Sequence, residues 1–242
     1  MSAALSGLSA HATMVEVDAG NLANLNTTGY KSSRVHLAAL GSSTSAPGET
    51  GRGVQVAAIE RSSRPGPLIS TGVPSDFAIQ GEGFFQVQQN GGTVYTSDGA
   101  FHLDQNRYLV DAAGNRLHPE LKLPPEAASF QVAPSGRVTA WDGGGQEVFS
   151  ADLTIETFPY PSGLAGLGHN DFGATAASGP GSTVTPGTAG AGAILQGVLE
   201  GPDVDPTREM VSLMVGQRGF EANLKAIQTA DAMLGEIINL RA

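Results

Sequence analysis

The apolar residues of this chain keep two different periods, and the change between them limits the folds open to it. Met1, Leu5, Leu8, Ala12, Val15, Ala19 and Leu22 are spaced alternately four and three apart, the spacing of a heptad seam on a helix. Near the other end, Asp205 precedes Pro206 and Glu209, a helix start signal, and Met210, Leu213, Phe220, Leu224, Ile227, Leu234 and Ile238 then fall on one heptad frame. Gln217 and Asp231 hold the two frame positions that are not apolar. Ala226, Ala230, Met233 and Ile237 add an adjacent strip, so this helix has an apolar face wide enough for more than one neighbour.

Neither helix should be stable alone. At roughly 25 residues and about 1.5 Å rise each, the first would be near 37 Å long and thinly hydrophobic. The last carries Gly216, Gly219 and Gly235, each of which costs about 1 kcal/mol against alanine in a solvated helix interior. Two readings follow: an ordinary amphipathic helix that closes a globular core, or one that orders when several copies pack and small residues permit close approach.

Between the ends the period falls to 2. "DFAIQGEGFFQVQQNGGTVYTSDGAFHLDQNRYLVDAAGNRL" alternates short apolar runs with turn signals at hairpin spacing, and "SFQVAPSGRVTAWDGGGQEVFSADLTIETF" repeats the rhythm. Glycine at 33, proline at 14 and only 15% charged residues also favour a turn-rich β body. The expected class is α+β: two terminal coiled-coil-like helices around a central antiparallel β domain, joined by extended Gly/Ser-rich connections. The expected divisions are a helix and turn over 1–35, a linker or extended β segment over 36–74, the β domain over 75–160, a Gly/Ser/Thr-rich return over 161–204, and the last helix over 205–242. Within these, residues 41–53 read as a compositional linker. Residues 161–192 read as free chain or as an extended strand laid along a partner.

Charge and composition exclude several functions. A net charge of −10, from 23 acidic residues against 13 Lys plus Arg, opposes binding to nucleic acid or anionic lipid. With no cysteine there is no disulfide, thiolate chemistry or cysteine-ligated zinc. No run of about 18 apolar residues would span a membrane. Glu16 and Asp18 interrupt the apolar core that a cleaved signal peptide would need, so any export is expected to use another route.

No catalytic constellation is evident, and neither a cofactor nor a metal is expected. His11, His36, His102, His118 and His169 never approach a metal-ligand spacing. Ser97, Asp98 and His102 cluster on one hairpin without a nucleophile elbow or oxyanion turn. "GEGFF" holds a lone G-x-G, but a strand-like run follows it where a phosphate site needs a helix. Asp98, Asp104 and Asp111 sit in turn contexts, where Asp bonds to its own backbone.

The most distinctive stretch is "NLANLNTTGYK", residues 21 to 31. Asn21, Leu22, Ala23 and Asn24, then Thr27, Gly29, Tyr30 and Lys31, resemble the signature of flagellar rod and hook proteins. The final "VDPTREMVSLMVGQRGFEANLKAIQTADAMLGEIINLR" is similar to that family's terminal helix, with Gln217, Arg218, Phe220, Glu221 and Asn223 on its recurring positions. In the body, "SDFAIQGEGFFQV", "YTSDGAFHLDQNRYLVDAAGNRL", "ETFPYPSGL" and "GAILQGVLEG" resemble in order the middle of distal rod proteins of the FlgG and FlgF type. Departures from the usual pattern are Gly20-Asn21 for a paired asparagine, Ser97 in a Thr-Arg-Asp-Gly turn, Pro202-Asp203-Val204 for Ser-Asn-Val, and a short stretch from Gly41 to Arg64.

The resemblance implies a structural subunit of the bacterial flagellar basal-body rod, self-associating helically into a shaft that carries torque from motor to hook. It implies type III export without a cleaved signal, contact with other rod and hook proteins and with the flagellar rings, and terminal helices lining a tube. Positions expected at subunit contacts are Leu5, Leu8, Val15 and Leu22 on the first helix, and Met210, Leu213, Gln217, Phe220, Leu224, Ile227, Leu234 and Ile238 on the last. Asn21, Asn24 and Thr27 are expected to hydrogen-bond to neighbouring subunits. Alternatives are a hook-type subunit, or a secreted β-domain binding module or enzyme.

Overall fold

The computed structural model describes residues 2–41, 43–44, 49–89, 91–188 and 190–239. Met1 of the expected seam, and residues 42 and 45–48 of the expected linker, lie outside them. The chain divides into two compact units, one of Met1–Leu25, Ser32–Ser62 and Val204–Ala242, the other of Asn26–Lys31 and Ser63–Asp203.

The first unit holds α1 (Ser2–Ala23), β1 (Ser33–Ala39), β2 (Ser43–Thr44), β3 (Glu49–Thr50), β4 (Val54–Arg61) and α2 (Pro206–Asn239). α2 starts where its first turn is capped: the Asp205 carboxylate accepts from the backbone N–H groups of Thr207 and Arg208 at 3.0 and 3.2 Å. α1 ends in a tightened turn, with the Asn24 amide N–H bonded to Asn21 O at 3.2 Å and its side chain donating to Gly20 O at 2.9 Å. β1 and β4 pair antiparallel from Ser33 opposite Arg61 to Ala39 opposite Val54, with a register shift between His36 and Leu37. A two-stranded ribbon is marginal by itself. α1 supports it, through Asn21 at one end and, at the other, the Ser6 hydroxyl that accepts from Val54 N–H at 3.2 Å.

The second unit holds β5 (Leu68–Ser70), β6 (Phe77–Gln80), β7 (Phe85–Gln89), β8 (Gly92–Thr96), β9 (His102–Leu103), β10 (Leu109–Val110) and β11 (Arg116–His118). They are followed by β12 (Ser129–Val132), β13 (Arg137–Trp141), β14 (Glu147–Asp152), β15 (Ile155–Thr157), β16 (Ala165–Gly168), β17 (Asp171–Gly173), β18 (Ser182–Val184), β19 (Ala193–Gln196) and β20 (Val198–Glu200). Seven of these form one antiparallel sheet in the order β16-β17-β8-β7-β11-β10-β9; β12-β13-β14 form another, and β6, β15 and β20 pair with β19, β18 and β5. Aspartates build the turns: Asp104, Asp111 and Asp142 each accept from two backbone N–H groups two and four residues ahead at 2.8 to 2.9 Å.

Apolar burial is concentrated here. Phe77, Phe85, Leu117, Val138, Leu153, Ile155 and Ile194 are completely enclosed, and Phe85 meets Phe101 edge to face at 5.4 Å. Within 161–188 and 190–192 the chain finds partners in the same unit: β17 pairs with β8, β18 with β15, and Phe172 packs on Phe84 at 5.7 Å; residue 189 of the expected return lies outside the described residues. In "GEGFF", Gly83 has φ 146 and faces the Ile155 side chain so closely that a Cβ would stand 2.8 Å from it. These glycines serve close packing.

Candidate assembly surface

α1 and α2 lie antiparallel within the first unit. Asn21 meets Glu209, Val15 rests over Gly216, the His11 ring covers Gly219, and Asn223 lies against Gly7. A Cβ at Gly216 would come within 2.9 Å of Val15 Cγ2, and one at Gly7 within 2.8 Å of the Asn223 side chain. The absent side chains are what let the two backbones approach so closely.

Of the expected seam, this contact takes in Val15, which rests over Gly216, while the residues that become buried lie beside the seam. The residues that α1 buries are Gly7, Ala10, Asp18 and Asn21, of which Gly7 and Asn21 stand one position before Leu8 and Leu22. Leu5 is 61% exposed, and Leu8, Val15 and Leu22 are half-buried. Close approach at glycine draws Gly7, Ala10, Asp18 and Asn21 inward, while Leu5, Leu8 and Leu22 keep part of their surface exposed. Asp18 is buried with Oδ2 lacking a hydrogen-bond partner among the described residues.

α2 is longer than its partner, 34 residues against 22. With Asn223 opposite Gly7, about its last ten residues, ~15 Å of helix, run beyond the start of α1. Leu234 and Ile238 lie on this overhang, 47% and 69% exposed, beside Met233 and Ile237. Met210 and Leu224 are 49% and 40% exposed, Gln217 is exposed, and Leu213, Phe220 and Ile227 are half-buried. Val211, Met214 and Val215 extend the bare face. The sequence reading missed these three, although the i, i+4 pairs Met210 and Met214, Val211 and Val215 carried the signal.

Among the described residues, thirteen of the nineteen exposed large apolar side chains belong to the first unit, and the one buried apolar residue it has is Ala10. Its apolar surface is turned outward, not spent on a core of its own.

The two ends of "NLANLNTTGYK" serve different units. Asn21 is fully buried: its amide donates to Ser33 O at 2.8 Å and Glu209 Oε2 at 3.0 Å, and its Oδ1 accepts from Ser33 N–H at 2.9 Å. Asn24 donates to its own helix, at Gly20 O. These amides make these bonds within the subunit. The reason is local: the chain turns back at Asn24 and brings Ser33 beside the helix end.

Residues 26–31 are part of the second unit and are held within it. Gly29 has φ 65, its N–H donates to Glu200 O at 2.8 Å, and its carbonyl accepts from the Ser97 hydroxyl at 2.9 Å. Thr28 O accepts from Asn170 Nδ2 at 2.7 Å, and Thr27 O from Tyr30 N–H at 3.3 Å. Lys31 and Glu200 form a buried ion pair at 2.6 Å; Lys31 also donates to Arg64 O, and Glu200 accepts from Gly66 N–H. Ser97 thus has a structural partner, and His102 stands exposed on β9. No group of three His, Cys, Asp or Glu among the described residues is arranged to hold a metal.

Three segments match family models: residues 1–31 the flagella basal body rod protein model, 78–140 the flagellar hook protein FlgE/F/G D1 domain, and 195–240 the flagellar basal body rod FlgEFG protein C-terminal region. The chain is 36% identical over 256 residues to the flagellar basal-body rod protein FlgG of Borreliella burgdorferi, covering 98% of this chain and 97% of that protein. It is 35% identical over 255 residues to FlgG of Bacillus subtilis, with 98% and 97% covered. To the flagellar hook protein FlgE of Salmonella typhimurium it is 33% identical over 118 residues, 49% of this chain and 29% of the hook protein.

Proposed function

The chain belongs to the FlgG family of flagellar basal-body rod proteins, and on that premise we propose that it is a structural subunit of the distal rod whose helices pack against those of other copies. The carrying observation is the outward-turned apolar surface of the first unit. A large apolar side chain gives about 1.5 to 3 kcal/mol when fully buried, and a helical assembly repeats each such contact around and along the shaft. Met210, Leu213, Gln217, Phe220, Leu224, Ile227, Leu234 and Ile238 on α2, with Leu5, Leu8, Val15 and Leu22 on α1, form the packing surface. Asn21, Asn24 and Thr27 serve it by setting the turn that carries the chain away from α1.

In this role the protein carries torque from motor to hook and changes no substrate. Its partners are further copies, other rod and hook proteins, the flagellar rings and the type III apparatus that exports it without a cleaved signal. A rod position is favoured over a hook position because FlgG relatives align end to end, whereas the hook protein aligns over half of the chain. The test is Leu224→Asp: the second unit should melt as before while rods fail to form and cells stop swimming. Normal rods and normal motility would remove the proposal.

A further inference from the structure

We propose that the hairpin tip His169-Asn170 and the carboxylates beside it form a proton-sensitive latch on the Thr27–Gly29 turn, closed when the cluster holds a proton and loosened when every carboxylate is ionised. The tip connects β16 to β17 with two consecutive left-handed residues, His169 at φ 54 and Asn170 at φ 62. Asn170 donates its side-chain amide to Thr28 O at 2.7 Å, and its own carbonyl is held by the Thr96 hydroxyl at 3.0 Å. From the other side, Ser97 donates to Gly29 O, and Asp98 bonds the Thr28 hydroxyl. The turn is therefore clasped between β17's hairpin and the 96–98 corner after β8.

A cavity of about 220 Å³ lies beside this clasp, lined by Thr96, Asp98, Asp111, His169 and Asp171. Asp171 is only 5% exposed, and its hydrogen bond from Gln89 Nε2 is long at 3.3 Å. Three carboxylates from three elements thus share one small space: Asp171 on β17, Asp98 on the corner, Asp111 on the turn after β10. Asp76, next to β6, adds its charge to Asp98. His169 is the facing group that favours ionisation of Asp171 when it is charged. Burial, then the charge of Asp111, pushes Asp171 up to about 6, and burial also raises Asp98.

The consequence is mechanical. With Asp171 ionised, its charge faces those of Asp98 and Asp111, and the two sides of the clasp repel. With a proton on Asp171 that repulsion is relieved, so Asn170 and Asp98 hold Thr28 together.

Hydrogen exchange in the full chain tests this. After correction for intrinsic rates, protection of the segment 26–31, which holds the bonded amides of Gly29 and Tyr30, should rise about tenfold between pH 7.5 and pH 5. The segment 137–141 of β13 serves as reference and should change much less. Asp171→Asn, which copies the protonated form, should hold 26–31 at the acid level across the range; Asp111→Asn should move the wild-type midpoint downward. The latch is overturned by a flat wild-type profile, by a reference that changes in parallel, or by Asp171→Asn following the wild type.

Discussion

The carboxamide of Asn21 closes a ring of two hydrogen bonds with the backbone of Ser33, donating to its carbonyl at 2.8 Å and accepting from its N–H at 2.9 Å. A side chain here takes the place of a neighbouring strand, and its second amide proton reaches Glu209 in the first turn of α2. One residue thus joins the end of α1, the start of β1 and the start of α2. Asn21→Ala leaves Ser33 and Glu209 without these bonds, and should destabilise the first unit by about 2 to 3 kcal/mol. Limited proteolysis is the readout: cleavage in α2 should accelerate while strands of the second unit remain protected. Asn21→Asp should be nearly as damaging, because a carboxylate cannot donate to Ser33 O and faces Glu209.

The glycines of α2 divide by what stands over them. At Gly219 a Cβ would fall within 2.6 Å of His11 Nε2, whereas at Gly235 nothing lies within 4 Å. Gly219→Ala must displace the His11 ring from the helix contact and should cost about 1 to 3 kcal/mol. Gly235→Ala meets open space, and the better helix former should add about 1 kcal/mol to the isolated chain. Opposite shifts in the helical melting transition would support this division; equal shifts would refute it.

Much of this was legible before the structure. Both helices follow from their heptads, the start of α2 from Asp205, and the Asp104 and Asp111 turns from the affinity of aspartate for its own backbone. The buried strip of α1 was not, because hydrophobic periodicity ranks Leu8 and Leu22 above Gly7 and Asn21. Backbone approach at Gly7, Gly216 and Gly219 reverses that order, and it depends on three positions that mean little until the helices face each other. Ser97 clusters in sequence with Asp98 and His102 without a catalytic arrangement; its hydrogen-bond partner, Gly29 O, is 68 residues away in sequence. Lys31 and Glu200 are 169 residues apart, a pairing no local pattern announces.

That pair offers a third prediction. Both side chains are less than a tenth exposed, and each also serves the backbone, Lys31 at Arg64 O and Glu200 at Gly66 N–H. Lys31→Met strands a buried carboxylate and should cost about 3 to 5 kcal/mol in the second unit. Adding Glu200→Gln removes the stranded charge and keeps an acceptor for Gly66, so part of the loss should return. Denaturant melts of the single and double variants measure this; a double variant weaker than Lys31→Met would contradict it.

The acidic cavity sets the sign of the pH dependence. Asp171 has its pKa raised to about 6 in the folded chain, chiefly by burial and next by Asp111, whereas an unfolded aspartate titrates near 3.9. The folded state therefore binds this proton more tightly than the unfolded state. Above about pH 6 the ionised group opposes folding; as pH falls from there toward about 4, that penalty is relieved and the second unit gains stability. Asp171→Asn removes the penalty and keeps an acceptor for Gln89, so it should raise stability at pH 7.5 by about 1 to 3 kcal/mol. At pH 4 it should change little. Thermal melts at both values decide the matter: a variant no more stable than wild type at pH 7.5, or one whose advantage persists undiminished at pH 4, would show that Asp171 does not carry this repulsion.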